Sequence, residues 1–454
     1  MFHSEHILYS GYLIKLSVKV CKFGGTSLAD GNIIKAVKKI IESDEERRYI
    51  VVSAPGKRCS GDTKITDLLY SCHHVLLKDG ACKNGFAPVR ARFYSIVKEL
   101  NIDFDIQSML DETERLIDER KSEDFTASRG EYLCAQIMAR LLGAKFIDAE
   151  NVIFFKPDGS LDCEKSYMAV SEACVDADRA VFPGFYGQGA GGKVKTFSRG
   201  GSDISGAIVA RALRATLYEN WTDVSGFLAC DPCIVDSPRH IQTISYKEMR
   251  ELSYMGANVL HSDSILPVST ANIPIQIKNT FRPQDIGTAI LPNSRHVSND
   301  CTVRGIAGKK NFTIIYIEKS LMNAEVGFIA KVLDVLQNKN VRVEHISSGI
   351  DTLSLVISSE QFGGSKLRKI LDGIKAAVTP DSICAVEGIA LIATVGHGMT
   401  SSVGTAARIF NTIAAEGIIL RMFDIGSGEL SVIVGVNIDD YERCIKSIYS
   451  EFFK

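Results

Sequence analysis

The stretch KVCKFGGTSLADGNIIKAVKKII, residues 19–41, joins a short apolar run to an amphipathic helical pattern through a lysine, two glycines and two hydroxyl side chains. Glycines directly after a buried strand let backbone N–H groups approach an anion, because no Cβ intervenes. The next helix would offer its N-terminal dipole to that anion, and Lys22 would add a full positive charge. The stretch therefore predicts a phosphate-binding turn; a tight turn with a solvated lysine is the alternative.

Outward from this stretch, residues 18–280 alternate helical and strand patterns. The patterns predict helices near 64–77, 88–100, 105–121 and 129–142, and strands near 145–155, 180–186, 215–220 and 274–278. Such alternation is typical of an α/β domain with a mostly parallel sheet. Residues 281–311 lose the periodicity and gain Pro, Gly, Asn and Ser, which predicts a domain boundary.

An internal repeat follows that boundary. The segments that begin at Val326 and Val403 match over 32 residues without a gap, at an offset of 77 residues. Each copy has the pattern strand, helix, strand, strand, helix, which predicts a ferredoxin-like βαββα unit. The second copy has no closing strand after its last helix, and a strand supplied from elsewhere in the pair would make the two copies interdependent.

The composition is that of an ordinary globular protein. The chain has 454 residues, is 45% apolar and 23% charged, and carries a formal net charge of −2 from 52 basic and 54 acidic residues. No strongly basic stretch suggests nucleic acid, no apolar run suggests a membrane span, and no signal peptide is evident. Twelve scattered cysteines indicate reduced thiols and hence a cytoplasmic protein.

Two other motifs are weaker. Residues 187–194, GQGAGGKV, nearly match a phosphate-binding P-loop, but Val194 stands where a Ser or Thr must reach Mg²⁺, and the next residues look like a strand. A glycine-rich hairpin tip is the better interpretation. Cys230 and Cys233 have the spacing of a redox or metal pair, yet the sequence has no second CxxC and no histidine pair with zinc spacing.

Three further stretches carry polar groups where helices and strands end. In FSRGGSDISGAIVARAL, residues 197–213, Arg199 suits a carboxylate or phosphate, and Ser202 or Asp203 is a natural N-cap. A capped helix with a surface arginine is the alternative. In SRGEYLCAQIMARLL, residues 128–142, Glu131 lies near the start of an otherwise apolar helix, and the alternative is a favourable first-turn glutamate.

The third of these stretches is YENWTDVSGFLACDP, residues 218–232. It places Thr222 and Asp223 where a strand gives way to a loop. In open α/β sheets that end of a strand is where ligands bind. A turn in which Asp223 bonds its own backbone is the alternative.

Taken together, KFGGTS, RGGSD and WTDV…DP, in this order, closely resemble the aspartate kinases of the amino-acid kinase superfamily. VVSAPG, ITDLL, PGFYG and IKNTFRPQDIGT also fit, and the tandem repeat looks like the paired ACT domains of that family. The resemblance implies a three-layer amino-acid kinase fold with a mostly parallel sheet, followed by two ferredoxin-like βαββαβ ACT domains. The implied domains are an N-terminal extension at 1–17, a catalytic domain at 18–310, and ACT domains at 311–388 and 389–454.

The activity that the resemblance implies is ATP-dependent phosphorylation of the β-carboxylate of L-aspartate, the first step towards lysine, threonine and methionine. A free carboxylate has a pKa near ~3.9, so the nucleophile is already ionised at neutral pH and needs no general base. The difficulty is to bring one anion against a polyanion, which calls for positive charge and oriented N–H donors. Mg²⁺ carried by ATP would add to that charge.

Site residues follow from the resemblance position by position. The implied catalytic pair is Lys22 and Asp203. The implied aspartate-binding residues are Ser53, Thr66, Glu131, Arg199 and Ser202, with Arg199 on the α-carboxylate and Glu131 on the ammonium. The implied ATP-binding residues are Lys22, Gly24, Gly25, Thr222 and Asp223.

The sequence departs from the family pattern on the nucleotide side. Leu228 replaces an aromatic residue, Cys233 an arginine and Asn258 a lysine that many relatives carry. Since some branches of the family also lack that lysine, these changes indicate either branch identity or weaker ATP binding. They are also the only support for a different class of protein, an amino-acid-sensing regulatory protein with a decayed kinase site. Another member of the superfamily, acting on a different acceptor, is less consistent with the complete KFGGTS and RGGSD motifs.

The ACT pair resembles sites where an end-product amino acid binds and inhibits. The candidate effector residues are Met322, Glu325, Gly327, Phe328, Val343, Glu344, Ser347 and Ser348. Glu325 or Glu344 would pair with a lysine side chain, so lysine is the first expectation for the effector and threonine the second. Because ACT domains commonly pair edge to edge, a homodimer or dimer of dimers is expected; plain βαβ turns with solvated glutamates are the alternative.

Overall fold

The chain divides into two compact units. The structure, a computed structural model, describes residues 17–198, 200–257, 259–260, 262–292, 302–397, 399, 402–425 and 430–453, together with the backbone of 8–9 and 12–13. The first unit comprises residues up to 227, 242–246 and 258–297, and the second comprises 228–241, 247–257 and 298–454. No helix among the described residues is both long and apolar enough to cross a membrane.

The first unit contains most of the helices. Its strands are β1 Leu8–Tyr9, β2 Tyr12–Leu13, β3 Lys19–Phe23, β4 Arg47–Val52, β5 Lys145–Phe146, β6 Ala180–Pro183, β7 Tyr186–Gln188, β8 Val194–Thr196, β9 Leu217–Thr222, β10 Thr243–Ser245, β11 Ile275–Asn279 and β12 Thr288–Leu291. Its helices are α1 Gly31–Glu42, α2 Ile65–Asp79, α3 Lys83–Leu100, α4 Ile106–Arg120, α5 Glu123–Leu142, α6 Ala149–Val152, α7 Cys163–Ala173, α8 Gly201–Ala212 and α10 Leu266–Thr270. Helix α9, Tyr246–Tyr254, begins in this unit and continues in the second.

An eight-stranded sheet organises this unit, in the order β10-β12-β11-β9-β3-β4-β6-β5. Its neighbours are parallel except β11 and β12, which are antiparallel. Consecutive residues of β3, β4 and β6 are buried, so helices cover both faces of the sheet, as parallel sheets require. The mostly parallel α/β sheet predicted from the alternation is confirmed.

Two predicted segments differ from the structure. The strand predicted at 145–155 ends at Phe146, because Asp148 accepts a hydrogen bond from the Glu150 N–H and starts the short helix α6. The boundary segment 281–311 contains β12 and the start of a long strand at Gly305. Gly287, with φ +73°, turns the chain so that the short apolar run after it pairs with β11.

The second unit contains one six-stranded antiparallel sheet. Its strands are β13 Gly305–Glu318, β14 His345–Ser348, β15 Thr352–Ser358, β16 Ser382–Val395, β17 Met422–Ile425 and β18 Ser431–Asn437, and its further helices are α11 Phe328–Asn338, α12 Lys366–Val378, α13 Thr405–Ala415 and α14 Tyr441–Phe452. The strand order is β14-β15-β13-β16-β18-β17, and every neighbouring pair is antiparallel. Each repeat has the predicted order of strands and helices.

The two repeats share their central strands, β13 and β16, which are each 14 residues long. The first half of β13, from Gly305 to Lys309, pairs with the second half of β16, from Leu391 to Val395. The remaining halves pair with each other beyond an irregularity near Phe312. The missing closing strand of the second repeat is therefore residues 305–309, which precede the first repeat in the chain and lie before the predicted boundary at 310/311.

Each repeat still has its own hydrophobic core. The first core lies under α11 and α12 and contains Ile315, Ile317, Val332 and Ile374. The second core lies under α13 and α14, and Ile306 from the start of β13 packs in it with residues more than 80 positions later in the chain, such as Ile392 and Val434. Neither repeat can complete its sheet without residues from beyond its own copy.

Ile306→Ala is expected to loosen the second repeat although the residue precedes the first. Ile306 is 2% exposed, and truncating such a core side chain costs about 2–5 kcal/mol. Hydrogen–deuterium exchange of the peptide 389–395 should rise sharply. Ile350→Ala, at a side chain that is 71% exposed, is the matched control and should leave exchange unchanged; equal exchange in the two variants would contradict the shared-strand architecture.

Candidate active site

Five neighbouring parallel strands end at one edge of the large sheet. The residues that follow β3, β4, β6, β9 and β11 are Gly24, Ser53, Gly184, Asp223 and Thr280. Backbone bonds tie these strand ends together: the Gly24 N–H donates to the Trp221 carbonyl at 2.9 Å, and the Ser53 N–H donates to the Phe23 carbonyl at 3.1 Å. The edge therefore collects the polar segments that the sequence singled out, at the end of the sheet where ligands bind in this class of fold.

A buried ion pair lies at the centre of this edge. Lys22 is 8% exposed, and its Nζ is 2.6 Å from Oδ1 of Asp203 in helix α8. Asn220, the partner of Lys22 in the β3–β9 register, donates from Nδ2 to the same Oδ1 at 2.8 Å. The side-chain oxygen Oδ1 of Asn220 accepts a long hydrogen bond from Lys22 Nζ at 3.5 Å. The three side chains fix a cation beside the glycine pair, because a Cβ at Gly24 would lie 3.5 Å from Lys22 Nζ.

The glycine pair is held by a second loop. A Cβ at Gly25 would lie 2.9 Å from the Ala54 carbonyl oxygen, and a Cβ at Gly56 would lie 2.6 Å from the carbonyl carbon of Gly25. The Gly56 N–H donates to the Gly25 carbonyl at 2.8 Å. Part of the reason for glycine here is therefore backbone-to-backbone packing of the turn after β3 against the turn after β4, in addition to the close approach of an anion.

Helix α1 does not offer its N-terminus to an anion, so that part of the prediction is wrong. A 3-10 turn, Gly25–Leu28, separates the glycines from α1. Asp30 caps α1 by accepting hydrogen bonds from the N–H groups of Asn32 and Ile33 at 2.9 Å. Glu99 accepts from the Gly31 N–H at 2.8 Å. The first donors of α1 are thus used by the protein itself.

Helix α8 supplies the uncapped helix start. Its N-cap is Gly200, with φ +58°, and no side chain caps it in the described part of the chain. The prediction that Ser202 or Asp203 is the N-cap is therefore wrong, since both lie in the first turn. Ser202 packs against Gly184, the residue that follows β6. A Cβ added at Gly184 would lie 2.7 Å from the Cβ of Ser202. Because its first N–H groups are uncapped and lie beside Lys22, the start of α8 is better suited to an anion than the start of α1.

Glu131 is a buried carboxyl group with a free oxygen. It is 4% exposed, and its Oε2 has no hydrogen-bond partner among the described residues. Burial raises its pKa to about 8, opposed by a hydrogen bond from the Ala54 backbone. The preceding residue, Gly130, places α5 directly against the end of β4, since a Cβ there would lie 2.8 Å from the Ala54 Cβ. A buried carboxylate without a partner is costly, and a cationic ligand would relieve that cost.

The remaining predicted substrate and nucleotide residues are less constrained. Arg199 lies outside the described residues. Ser53 follows β4 and Thr66 lies in the first turn of α2, and both are half-buried. Thr222 donates to Oδ1 of the exposed Asp223 at 3.3 Å, so this pair forms a local hydrogen bond at the end of β9.

Asn220 is the site residue that the sequence reasoning missed. In the sequence it is a polar side chain within the strand LYENWT. Tyr218 and Trp221 in the same strand are fully buried. Glu219 in the same strand has a structural role: it accepts a two-point ion pair from Arg47 at 2.8 and 3.2 Å and a hydrogen bond from the Trp221 indole at 2.8 Å.

The two weaker motifs have structural explanations. Strands β7 and β8 form an antiparallel hairpin, and the glycine-rich segment 189–192 is its tip, as predicted. Cys230 is buried in the core of the second repeat and Cys233 is exposed, and both are free thiols. Burial raises the pKa of the Cys230 thiol to about 11, which disfavours the reactive thiolate. Leu228 is half-buried near this pair, and Asn258 lies outside the described residues.

The candidate effector residues surround one end of the first repeat. Gly327 is exposed, has φ +82° and is the N-cap of α11 without a side-chain cap. Met322 and Phe328 are buried in the core beneath it. Val343 is half-buried, and Ser347 and Ser348 are exposed on the edge strand β14.

Both candidate glutamates already have partners. Glu325 bridges Lys319 at 2.5 Å and Lys331 at 2.7 Å, and these hydrogen bonds lower its pKa. Glu344 accepts a hydrogen bond from the Tyr254 hydroxyl, and burial raises its pKa. A lysine side chain could therefore pair with either glutamate only by exchanging with these partners, and the pairing itself stays a prediction.

The chain resembles known proteins over nearly its whole length. The amino acid kinase family matches residues 17–279, and the ACT domain family matches residues 392–452. Aspartokinase 3 of Bacillus subtilis (strain 168) is 35% identical over 450 residues, which cover 96% of this chain and 99% of that protein.

Solved structures agree with these similarities. The crystal structure of Clostridium acetobutylicum aspartate kinase has 50% sequence identity and a TM-score of 0.88, and the match covers 96% of this chain and 100% of that one. E. coli aspartokinase III in complex with aspartate and ADP, at 24% identity and a TM-score of 0.78 with 96% and 100% coverage, shares the fold. The predicted fold class, an amino-acid kinase domain followed by ACT repeats, is confirmed.

Glu131→Gln is expected to raise the stability of the ligand-free protein at pH 8 and to change it less towards pH 5. The Glu131 carboxyl has a pKa of about 8 when folded, against an ordinary value of 4.5. The native state therefore holds one more proton than the unfolded state between these values, and the free energy of unfolding falls as the pH rises through this window. Glutamine stays neutral, so in the variant this residue no longer lowers the free energy of unfolding as the pH rises.

Thermal unfolding midpoints measured from pH 5 to pH 8.5 would test this. Glu123→Gln, at an exposed residue in the first turn of the same helix, is the matched control. Profiles for wild type and Glu131→Gln that run parallel across the window would contradict the assignment.

Proposed function

The chain belongs to the aspartokinase family, and on that premise we propose that it transfers the terminal phosphoryl group of ATP to the β-carboxylate of L-aspartate, giving L-aspartyl 4-phosphate. The observation that carries this proposal is the buried Lys22–Asp203 pair, 2.6 Å apart, between the glycine turn after β3 and the uncapped start of α8. Cation and N–H donors thus converge at one end of a parallel sheet.

Phosphoryl transfer to a carboxylate requires positive charge around the phosphates and precise positioning of the two reactants. The acceptor carboxylate is ionised at neutral pH, since its pKa is near ~3.9, so no side chain has to remove a proton. The barrier comes from pressing this anion against a polyphosphate and from the charge that spreads over the transferring group. Preorganised donors aimed at that charge are typically worth about 10²- to 10³-fold in rate each.

Lys22 and the glycine turn serve the transferring phosphoryl group in this proposal. Asp203 and Asn220 hold the Lys22 ammonium in place before the substrates bind, so little reorganisation is needed when the phosphate arrives. The backbone of Gly24 and Gly25 and the first turn of α8 add uncharged donors. Thr222 and Asp223, at the open end of β9, face the nucleotide.

Mg²⁺ would enter with ATP. Mg²⁺ is usually bound by one or two carboxylates together with substrate phosphates, so it needs no dedicated protein cage. Asp203 is the carboxylate placed to assist, and the ion would supply neutralisation of phosphate charge.

Glu131 provides the strongest support on the aspartate side. Its Oε2 is buried without a hydrogen-bond partner among the described residues, and the ammonium of an amino acid would both pair with it and lower its pKa. Ser53, Thr66 and Ser202 lie at neighbouring strand and helix ends and would add hydrogen bonds. Arg199, which precedes the N-cap Gly200 in the sequence, would take the α-carboxylate.

The ACT repeats are the proposed site of feedback by an amino acid. Lysine is the first candidate and threonine the second, and either would bind at the uncapped α11 start with its carboxylate towards Gly327. A lysine side chain would have to exchange with Tyr254 at Glu344, or with Lys319 and Lys331 at Glu325. Feedback also requires the effector to bind one global state more tightly than another.

Assembly into a homodimer or dimer of dimers is part of the proposal. Around the edge strand β14, several apolar side chains are exposed, namely Ile346 at 46%, Ile350 at 71% and Val326 at 95%. An exposed strand edge with apolar flanks favours pairing with a second copy. The free thiols of the described cysteines fit a reducing compartment such as the cytoplasm.

Lys22→Ala is expected to lower kcat by at least about 10²-fold, because it removes the charge beside the transferring group. Aspartyl hydroxamate formation from ATP, Mg²⁺, L-aspartate and hydroxylamine measures this, with circular dichroism to confirm folding. Lys19→Ala is the matched control: Lys19 lies in the same strand but pairs with Asp44 and Glu46 at 2.7 and 2.9 Å. A nearly full rate in the Lys22 variant would refute its role.

The same assay with L-lysine, L-threonine or both tests the regulatory part. Activity is expected to fall with lysine, since lysine is the first candidate. A fall with threonine alone would reverse the order of the two candidates, and activity indifferent to both would refute both. Well-folded protein without any turnover of ATP would refute the kinase and favour an amino-acid sensor.

A further inference from the structure

A buried arginine joins the two ends of residues 56–63, the larger part of the loop 53–64 between β4 and α2. Arg92, in the middle of α3, donates from Nη1 to the Gly56 carbonyl at 3.1 Å. Its Nη2 donates to both carboxylate oxygens of Asp62 at 2.7 Å and lies 3.3 Å from the Thr63 carbonyl. One guanidinium group therefore binds the first residue of the segment 56–63 and its last two.

The grip is charged and largely shielded from water. Arg92 is 5% exposed, and the side chain of Asp62 is 13% exposed. Arg58 binds the same carboxylate from the solvent side, with Nε 2.9 Å from Oδ2. Hydrogen bonds from Arg58 hold the pKa of Asp62 well below its usual range. The loop is thus fixed by a carboxylate between two arginines, one buried and one exposed.

The loop contacts the candidate site at the glycine turn after β3. The Gly56 N–H donates to the Gly25 carbonyl at 2.8 Å, so the residue that Arg92 binds is also the residue that presses on the glycine turn. At its other end the loop runs into α2, where the Ile65 N–H donates to the Pro55 carbonyl at 3.2 Å. Thr66 follows directly, and Ser53 lies three residues before Gly56.

We propose that Arg92 is a positioning residue for phosphoryl transfer: through Gly56 and Thr63 it sets the glycine turn and the two hydroxyl groups, Ser53 and Thr66, in register with each other. The inference rests on the proposed function. It requires the fork geometry of arginine, because lysine would keep the charge but could not bind a carbonyl and a carboxylate from two nitrogens at once.

A purely stabilising role is the competing explanation, and the same helix provides its control. Arg90, two residues earlier, makes ion pairs of 2.7 Å with Asp111 and 2.8 Å with Glu114 in α4. These pairs tie α3 to α4 and contact neither the loop nor the glycine turn. Arg90→Lys and Arg92→Lys therefore each remove ion-pair bonds from one helix, at side chains that are 22% and 4% exposed, and only the second bears on the site.

The experiment compares both variants with wild type by aspartyl hydroxamate formation at a temperature well below their unfolding midpoints. Arg92→Lys is expected to lower kcat/KM for aspartate at least tenfold beyond any effect of Arg90→Lys, which should stay within twofold of wild type. Equal kinetics in the two variants, at similar unfolding midpoints, would overturn the inference.

Hydrogen–deuterium exchange of the peptide 24–28 gives a readout that needs no activity. Exchange there should increase in Arg92→Lys and not in Arg90→Lys. If wild type turned over no aspartate, the proposed function would fail, and unchanged exchange in Arg92→Lys would separately refute the positioning role. If exchange were faster in Arg92→Lys but wild type were inactive, Arg92 would still position the glycine turn, but it would have no role in phosphoryl transfer.

Asp62→Asn is the second variant, in case Arg92→Lys does not fold. It leaves Arg92 in place but weakens the grip, so kcat/KM should fall in the same direction. The double variant should lose less than the product of the two single effects, because both changes weaken the Arg92–Asp62 pair that they share. Independent effects that multiply in the double variant would contradict the proposal.

Discussion

The Lys22–Asp203 pair is the interaction around which the first unit is arranged. Its two members come from β3 and α8, about 180 residues apart in the chain, and they meet because neighbouring parallel strands all end at one edge of the sheet. Asn220, across the register in β9, binds Asp203 as well. Burying such a pair is costly unless further hydrogen bonds satisfy it, and the surrounding structure supplies them. Glycines on both sides let the backbones of two turns close around it.

A second electrostatic constraint acts at Glu131, which, unlike Lys22, is buried with one polar atom unpaired among the described residues. Here burial leaves a carboxyl oxygen unpaired, so the ligand-free protein carries a cost that a bound ammonium would remove. Lys22 already has partners within the protein, whereas Glu131 has one oxygen that, under the proposed function, a substrate ammonium would pair with. This difference fits a site in which the phosphate-binding half is preorganised and the amino-acid-binding half recognises its ligand by charge.

The second unit shows how two similar repeats become one object. Each repeat completes its sheet with half of a strand that starts the other, so β13 and β16 run through both. Further contacts join them: the Tyr316 hydroxyl donates to the Arg421 carbonyl at 3.1 Å, and His345 Nδ1 lies 3.2 Å from Asp424 Oδ2. A ligand that distorts one repeat therefore acts on strands that belong to both, which is a physical basis for a regulatory unit that responds as a whole.

The sequence by itself determined the class of fold, the repeat, and most of the segments that form the site, because buried strands, amphipathic helices and glycine turns leave local patterns. The family resemblance singled out Lys22, Glu131 and Asp203 as site residues, and their roles stay predictions. The sequence could not show which helix start stays uncapped, since the capping of α1 depends on Glu99 from a distant helix as well as on Asp30. Nor could it show that Glu325 and Glu344 are already paired, or that residues 305–309 close the second repeat. Those outcomes depend on which distant groups meet, and only the tertiary structure decides that.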